Sequence, residues 1–232
     1  MDRDKFINIV EKVSEDPQKF ILEKFSSGKD LIAIGDVHDS KKIRAFVSSL
    51  IGPFKEKGLE NLFMELPRNF QSQVDAGNYS DLRYWMVKSG YRSSHSAEEE
   101  LRLIEDSKNY GIKVFLIDTE AHNRSDRDEF MFQRIKEKNP KNGLILSGSE
   151  HIIKITGSLG GYLFDNYDGK FLSIVPASKT LPFDFVEIGN ILSCSRLADK
   201  ILAADLKRIF GTELIDAKVP FDSFIFYGGK LN

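Results

Sequence analysis

The sequence contains a single cysteine, Cys194, and this scarcity removes disulfide bonds from any account of its fold. One thiol cannot close an intramolecular bridge, so the chain does not depend on an oxidising compartment. No histidine or second cysteine is spaced near Cys194. We therefore interpret it as a buried or neutral thiol rather than a nucleophile.

Long hydrophobic runs are also missing from the sequence. No apolar stretch approaches the roughly 20 residues of a membrane-spanning helix. The amino terminus, MDRDKFINIVEKVSEDPQKF, is charged along its length and lacks the apolar core of a signal peptide. We expect a cytoplasmic protein, or one that is exported without a cleavable signal peptide.

Neither sign of charge dominates the chain. A formal net charge of -2 gives no electrostatic reason to expect nucleic acid or an anionic membrane as partner. With 232 residues, 41% of them hydrophobic, the composition is typical of a soluble globular protein. Because no repeat or long polar linker divides the sequence, we predict one domain over residues 1–232. Within it we predict a helical preface over 1–28 and a helical excursion across the strand ends over 66–110.

Apolar strand patterns alternate with amphipathic helix patterns along the chain. The strand patterns are LIAIGD at 31–36, NLFM at 61–64, KVFLID at 113–118 and GLILS at 143–147. Between these strand patterns, the apolar residues have the spacing of amphipathic helices. A capping box at 96–99 is expected to begin one of these helices. This alternation predicts an α/β fold with a mainly parallel β-sheet and helices on both faces.

Ionisable side chains lie at or just after the end of each of these strands. They are, in chain order, Asp36 with His38, then Glu65, then Asp118, and finally Glu150 with His151. Parallel strands present their carboxyl ends at one edge of the sheet, where open α/β proteins bind ligands. Imidazoles and carboxylates gathered at this edge could hold a metal ion or divide general acid and base catalysis between them.

We expect some of the histidines and carboxylates to be functional and others to be structural. His38 and His151 share the local form Gly-x-x-His after an apolar strand, and this repetition favours a functional role for both. His95 and His122 lack that setting, so we interpret them as structural. Asp118 is also more typical of a structural strand end.

The motifs together resemble those of a known superfamily. Two Gly-x-x-His motifs, the glutamate of FMELP and the stretch NRSDRDEFMFQRI are similar to those of Tiki proteases, TraB proteins, ChaN-like haem-uptake proteins and erythromycin esterases. The similarity runs over about residues Leu31 to Leu163 and is closest to the ChaN-like branch, through GDVHDS, RDEFM and LILSGSEHI. A related domain lies in the carboxyl-terminal part of Pasteurella multocida toxin.

The resemblance implies a site made of His38, Glu65, Arg127 and His151. Apart from the resemblance, Arg127 is best interpreted as a structural ion-pair partner of a nearby carboxylate. Within the superfamily, Tiki members resemble metal-dependent peptidases, erythromycin esterases are thought to activate water with a histidine and carboxylates, and ChaN-like proteins are associated with haem. This sequence departs from the pattern by carrying Asp36 where many relatives have glutamate, and by lacking a lipoprotein signal.

One competing family shares the first motif. GDVH after an apolar strand also resembles the opening motif of calcineurin-like metallophosphoesterases. Those enzymes also need GDxxD, GNH and GHxH segments, and none of these occurs in the sequence. The phosphoesterase interpretation is therefore rejected.

Two hypotheses follow, and the first is a hydrolase of the esterase or peptidase type with a small-molecule or peptide substrate. His38 or Glu65 would deprotonate a water molecule, alone or on a divalent metal held by His38, Glu65 and His151, with Asp36 in support. Arg127 would stabilise the developing oxyanion or hold a substrate carboxylate or phosphate.

The second hypothesis is a binding protein. It would be a haem or small-ligand carrier, or a bacterial effector or toxin domain that acts by binding a partner. The excursion from Arg68 to His95, with Tyr84, Trp85 and Tyr91, would then form the recognition surface.

Overall fold

A computed structural model describes most of the chain before residue 177 and two short strands beyond it. The described residues are 16–36, 41–120, 125–138, 140–167, 169–176, 191–193 and 223–225. His38, His122 and Cys194 lie outside them.

The described strands form one seven-stranded sheet. The strands are β1 (Leu31–Asp36), β2 (Asn61–Pro67), β3 (Lys113–Asp118), β4 (Gly143–Gly148), β5 (Phe171–Pro176), β6 (Ile191–Ser193) and β7 (Ser223–Ile225). Their order across the sheet is β3-β2-β4-β1-β5-β7-β6. Every neighbouring pair is parallel except β6 and β7. The predicted mainly parallel α/β sheet is confirmed.

Helices connect the strands. They are α1 (Pro17–Ser26), α2 (Lys41–Glu56), α3 (Gln71–Asp75), α4 (Ser80–Lys88), α5 (Ser94–Asn109), α6 (Arg127–Glu137) and α7 (Leu159–Asn166), with a 3-10 turn at Arg68–Phe70. Asp16 caps α1 through a side-chain hydrogen bond to the Lys19 amide, and Pro17 takes the first helical position, where no amide hydrogen is needed. Among the described residues, every helix is too short or too polar to traverse a lipid bilayer.

Two apolar layers cover the sheet because successive side chains of a strand point to opposite faces. Ile32 and Ile34 of β1 belong to the larger core, which includes buried side chains from α1, α2, α4 and α5. Leu31 and Ala33 are also fully buried but lie outside that core. On that second side, Phe132 of α6 stacks on Tyr162 of α7.

Helix α5 begins three residues earlier than the capping box at 96–99 predicts. Ser93 caps it by accepting a hydrogen bond from the Ser96 amide. Ser96 is instead fully buried, and its hydroxyl accepts a hydrogen bond from Arg44 of α2. The predicted cap position is therefore wrong, because the Ser96 side chain is used in packing between two helices rather than at the helix end.

Candidate functional site

The strand order places four candidate strand ends side by side. Strands β3, β2, β4 and β1 are consecutive in the sheet, and β1 and β4 pair as far as Asp36 with Gly148. The side chains that follow these strands can therefore contact each other directly. Side chains from β2, β3 and the turn after β4 meet two side chains of helix α6 at this edge. We call this group the His151 cluster: Glu65, Asp118, Arg127, Asp128 and His151.

Glu65 lies at the centre of this cluster with a side chain only 3% exposed. One carboxylate oxygen accepts hydrogen bonds from the Ser147 hydroxyl, at 2.7 Å, and from the Gly148 amide. The other accepts a hydrogen bond from Nη2 of Arg127 at 2.6 Å. Burial acts to raise the pKa of Glu65, but the charge of His151 and these donors outweigh it and hold the pKa below its ordinary value. Glu65 is therefore an ionised carboxylate at neutral pH.

Gly148 lies close to the side chains of both Glu65 and His151. A Cβ atom at this position would lie 3.2 Å from Glu65 Oε2 and 3.3 Å from His151 Cδ2. Glycine leaves room for both side chains and for the amide hydrogen bond to Glu65. This close approach explains the first residue of the second Gly-x-x-His motif.

Asp118, which is fully buried, holds the guanidinium of Arg127 in place. Its Nε and Nη2 donate to the two oxygens of Asp118 at 2.9 and 2.5 Å, a bidentate arrangement. This geometry agrees with the structural interpretation of Asp118. It fixes the guanidinium between Asp118 and Glu65, with Nη1 left to face His151.

His151 is oriented by Asp128, which sequence reasoning missed. Nδ1 of His151 lies 2.6 Å from Asp128 Oδ1. An ionised carboxylate only accepts hydrogen bonds, so Nδ1 carries the proton and Nε2 faces Arg127 Nη1 at 3.2 Å and Glu65 Oε1 at 3.5 Å. Burial acts to lower the pKa of His151, but the bond to Asp128 and the Glu65 charge outweigh it and raise the pKa above its ordinary value. A sequence signal existed, because Asp128 follows Arg127 in the RDEFM motif.

Asp36 occupies a separate buried network. Its Oδ2 accepts hydrogen bonds from Arg44 at 2.7 Å and Arg92 at 2.8 Å, and both arginines also donate to Glu100. Burial raises the pKa of Asp36 although the two guanidinium groups oppose it. Its other carboxylate oxygen, Oδ1, has no hydrogen-bond partner among the described residues. The structure thus gives Asp36 arginine partners of its own and, within the part of the chain it describes, no hydrogen bond to the His151 cluster.

Tyr91 joins the two groups. Its hydroxyl donates a hydrogen bond to the main-chain oxygen of Glu65 at 2.6 Å, and its ring lies 4.2 Å from the guanidinium carbon of Arg92. Burial raises the pKa of Tyr91 well above its ordinary value, so the hydroxyl stays protonated as this bond requires. Of the three aromatic residues predicted to form a recognition surface, Tyr84 is 63% exposed, while Trp85 packs between Phe70 and Tyr91.

Glu65 and His151, the two predicted metal ligands that the structure describes, do not fit a metal ion. Among described residues, no three histidine, cysteine, aspartate or glutamate side chains are grouped so that they could hold one. Arg127 donates to Glu65 and to Nε2 of His151, so its guanidinium already supplies the positive charge between these two predicted ligands. His38, the third predicted ligand, lies outside the described residues.

Comparison with known proteins identifies the fold. No family model and no curated protein matches the sequence. Among solved structures, the type III effector HopBA1 is similar over 93% of this chain and 94% of its own, with a TM-score of 0.58 and 12% identity. The C-terminal region of Pasteurella multocida toxin, for which a thiol-protease-like catalytic triad is described, matches 71% of this chain with a TM-score of 0.56 and 16% identity. This chain covers 25% of that toxin structure.

A haem-binding protein has the same fold. ChaN of Campylobacter jejuni, which binds haem cofacially, is similar over 70% of this chain and 86% of its own, with a TM-score of 0.51 and 12% identity. The ChaN-like and toxin-related resemblance noted in the motifs is thus confirmed at the level of the fold. The chain has the α/β fold shared by a type III effector, a toxin region and a ChaN protein.

Proposed function

We propose that the protein is a hydrolase in which His151 acts as the general base. The observation that carries the proposal is the 2.6 Å contact between Asp128 and Nδ1 of His151. A carboxylate on one ring nitrogen fixes the tautomer, and the other nitrogen, Nε2, accepts a proton once water displaces its 3.2 Å contact with Arg127 Nη1. Glu65 and Asp118 hold Arg127 beside that nitrogen, at the carboxyl edge of the sheet where α/β proteins act on ligands.

The reaction needs only groups that this cluster contains. Nε2 of His151 takes a proton from water while the water oxygen bonds to the carbonyl carbon of an ester or amide. Arg127 Nη1 donates to the oxygen on which negative charge develops. The bond from carbon to the leaving group then breaks, and His151 returns the proton to that group. The side chain of His151 is 20% exposed, which allows water to reach it.

His38 remains a predicted participant. The shared Gly-x-x-His form is its support, and it would supply a second imidazole from the segment that follows β1. Glu65 was predicted to deprotonate water or to hold a metal ion, and this proposal gives it a narrower role. Because Arg127, Ser147 and Gly148 donate to its two oxygens, Glu65 orients Arg127 and does not deprotonate water.

A panel of p-nitrophenyl esters and peptide p-nitroanilides tests the proposal. His151→Gln should lower kcat by about 10²- to 10⁴-fold, the usual contribution of a general base, and Asp128→Asn should also lower it. The matched controls are Glu129→Gln, on the same helical turn as Asp128, and His95→Gln, because both residues are exposed. Equal turnover in wild type, His151→Gln and Asp128→Asn would reject the proposal.

Partner binding by an effector domain is the second candidate, supported by the fold likeness to HopBA1 over nearly the whole chain. The haem alternative is supported by the likeness to ChaN. Yet His151 contacts Asp128 and Arg127 through its two nitrogens, and the Tyr91 hydroxyl bonds to Glu65, so haem ligation by either would break existing contacts. Adding haem and recording the Soret region distinguishes the carrier, because a stoichiometric spectral change is expected only if haem is ligated.

A further inference from the structure

Strand β2 is irregular at the point where it carries Glu65. Its register with β3 shifts between Met64 and Pro67, where two residues of β2, Glu65 and Leu66, stand opposite one residue of β3. The pairing of β2 with β4 ends at Met64. An extra residue of this kind bends a strand and redirects its side chains. Glu65 therefore lies in a bulge of β2 rather than in a regular stretch of the sheet.

The Tyr91 hydroxyl holds this bulge from outside the sheet. It donates a hydrogen bond to the main-chain oxygen of Glu65 at 2.6 Å. A bulge disturbs the regular bonding of main-chain groups, and a buried carbonyl left without a donor is costly. The bond from Tyr91 therefore stabilises the bent conformation of β2.

Glu65 is thus fixed at both its main chain and its side chain. One oxygen of its carboxylate accepts hydrogen bonds from two donors of β4, and Tyr91 binds its main chain. The other oxygen, Oε1, lies 2.6 Å from Nη2 of Arg127 and 3.5 Å from Nε2 of His151. A movement of the bulge would change the position of this oxygen relative to both groups.

Tyr91 is itself anchored by the buried network of Asp36. Its ring lies 4.2 Å from the guanidinium carbon of Arg92, and Arg92 Nη1 donates to the main-chain oxygen of Tyr91 at 3.3 Å. Arg92 in turn donates to the carboxylates of Asp36 and Glu100. This chain of contacts links the Asp36 network to the bulge of β2.

We propose that Tyr91 is a positioning residue, whose hydroxyl holds the bulge of β2 and so keeps Glu65 directed at Arg127 and His151. Tyr91 acts through Glu65 and does not itself take part in the chemistry. The effect on turnover rests on the hydrolase function proposed above, whereas the effect on the His151 imidazole does not.

Tyr91→Phe removes the hydroxyl and keeps the ring that packs on Arg92 and Trp85. We expect kcat for the p-nitrophenyl ester that wild type hydrolyses fastest to fall by about tenfold with KM nearly unchanged, because small displacements of catalytic groups slow a reaction. The matched control is Tyr110→Phe, which should leave kcat unchanged. Tyr110 is 53% exposed and precedes the first residue of β3, at the opposite edge of the sheet.

An NMR titration of the His151 imidazole in the same variants tests the inference without turnover. The charge of Glu65 acts to raise the pKa of His151. A carboxylate that is held less firmly should therefore leave the His151 pKa lower in Tyr91→Phe than in wild type, and Tyr110→Phe should match wild type. Replacing Tyr91 with 4-aminophenylalanine restores a donor at the same place, so it should recover both kcat and the His151 pKa.

The outcomes separate the two proposals. A His151 pKa in Tyr91→Phe equal to that of wild type overturns the inference, and so does a loss that 4-aminophenylalanine does not recover. Wild-type turnover that does not depend on His151 counts against the hydrolase proposal, while the titration still decides the role of Tyr91.

Discussion

At the scale of single residues, Arg127 has the most exacting position in the site. It must place three nitrogens on two carboxylates and a histidine at once, and only a planar fork has the donors to do so. Lysine keeps the charge but cannot bind Asp118 through two nitrogens. The side chain therefore acts through its shape as much as through its charge.

Arg127→Lys is expected to lower the free energy of unfolding by about 1–3 kcal/mol, because buried oxygens of Asp118 and Glu65 lose donors. Urea unfolding measures the effect. Arg83→Lys is the control, since Arg83 and its partner Glu98 have side chains 56% and 45% exposed, and it should change stability by less than about 1 kcal/mol. Equal stability of Arg127→Lys and wild type would show that the fork does not matter.

Sequence reasoning identified some of these residues and missed others for a physical reason. Glu65 lies near the end of β2 and His151 three residues after the end of β4, so the strand pattern alone brings them to the sheet edge. Asp128 lies one residue inside a helix, and its role depends on the angle at which that helix approaches the sheet. Asp36 follows a strand too, but it bonds to Arg44 and Arg92, whose closeness depends on packing between distant segments.

At the scale of elements, the Asp36 network joins four parts of the chain. Arg44 from α2 and Arg92 from the segment before α5 each bind both Asp36 of β1 and Glu100 of α5. All four side chains are at most 2% exposed. Removing one partner would leave buried charges uncompensated, which costs far more than the loss of a surface ion pair.

Arg44→Ala is therefore expected to destabilise the protein by about 3–5 kcal/mol in urea unfolding. The control is Arg83→Ala, which removes the exposed pair of Arg83 with Glu98 between α4 and α5 and should cost at most about 1 kcal/mol. Similar losses in the two variants would mean that the buried network contributes no more than a surface pair.

Helices and strands were largely predictable at this scale, whereas helix ends were less so. The four strands from β1 to β4 follow continuous apolar patterns, as expected for a parallel sheet buried on both faces. The start of α5 was misplaced because Ser96 looks like a cap in sequence but is taken into packing by Arg44. Local patterns indicate an element, while its ends depend on what packs against it.

At the scale of the whole molecule, the strand order is what assembles the site. The sequence predicts which strands carry ionisable groups, but not that β2 and β4 are neighbours with β3 and β1 on either side. That order is set by how the connecting helices cover the two faces, which no local pattern records. Glu65 and His151, 86 positions apart in sequence, meet only because of it.

The pH dependence of overall stability should reflect this assembly. The pKa of His151 is raised in the folded protein, so its stabilising contribution is complete below about pH 6.5 and is lost as the pH rises through the folded value. As the pH rises above about 6.5, urea unfolding should show that the free energy of unfolding of the wild type falls relative to that of His151→Gln. Parallel pH profiles for the two proteins would contradict the coupling of His151 to Asp128 and Glu65.

The most direct test of the central claim, that these carboxylates and His151 act as one cluster, is an NMR titration of the His151 imidazole. Wild type is compared with Asp128→Asn and with the control Glu129→Gln, and His151→Gln assigns the signal. We predict a wild-type His151 pKa above 6.5 that falls in Asp128→Asn and is nearly unchanged in Glu129→Gln. A His151 pKa at or below 6.5 that Asp128→Asn leaves unchanged would contradict the account.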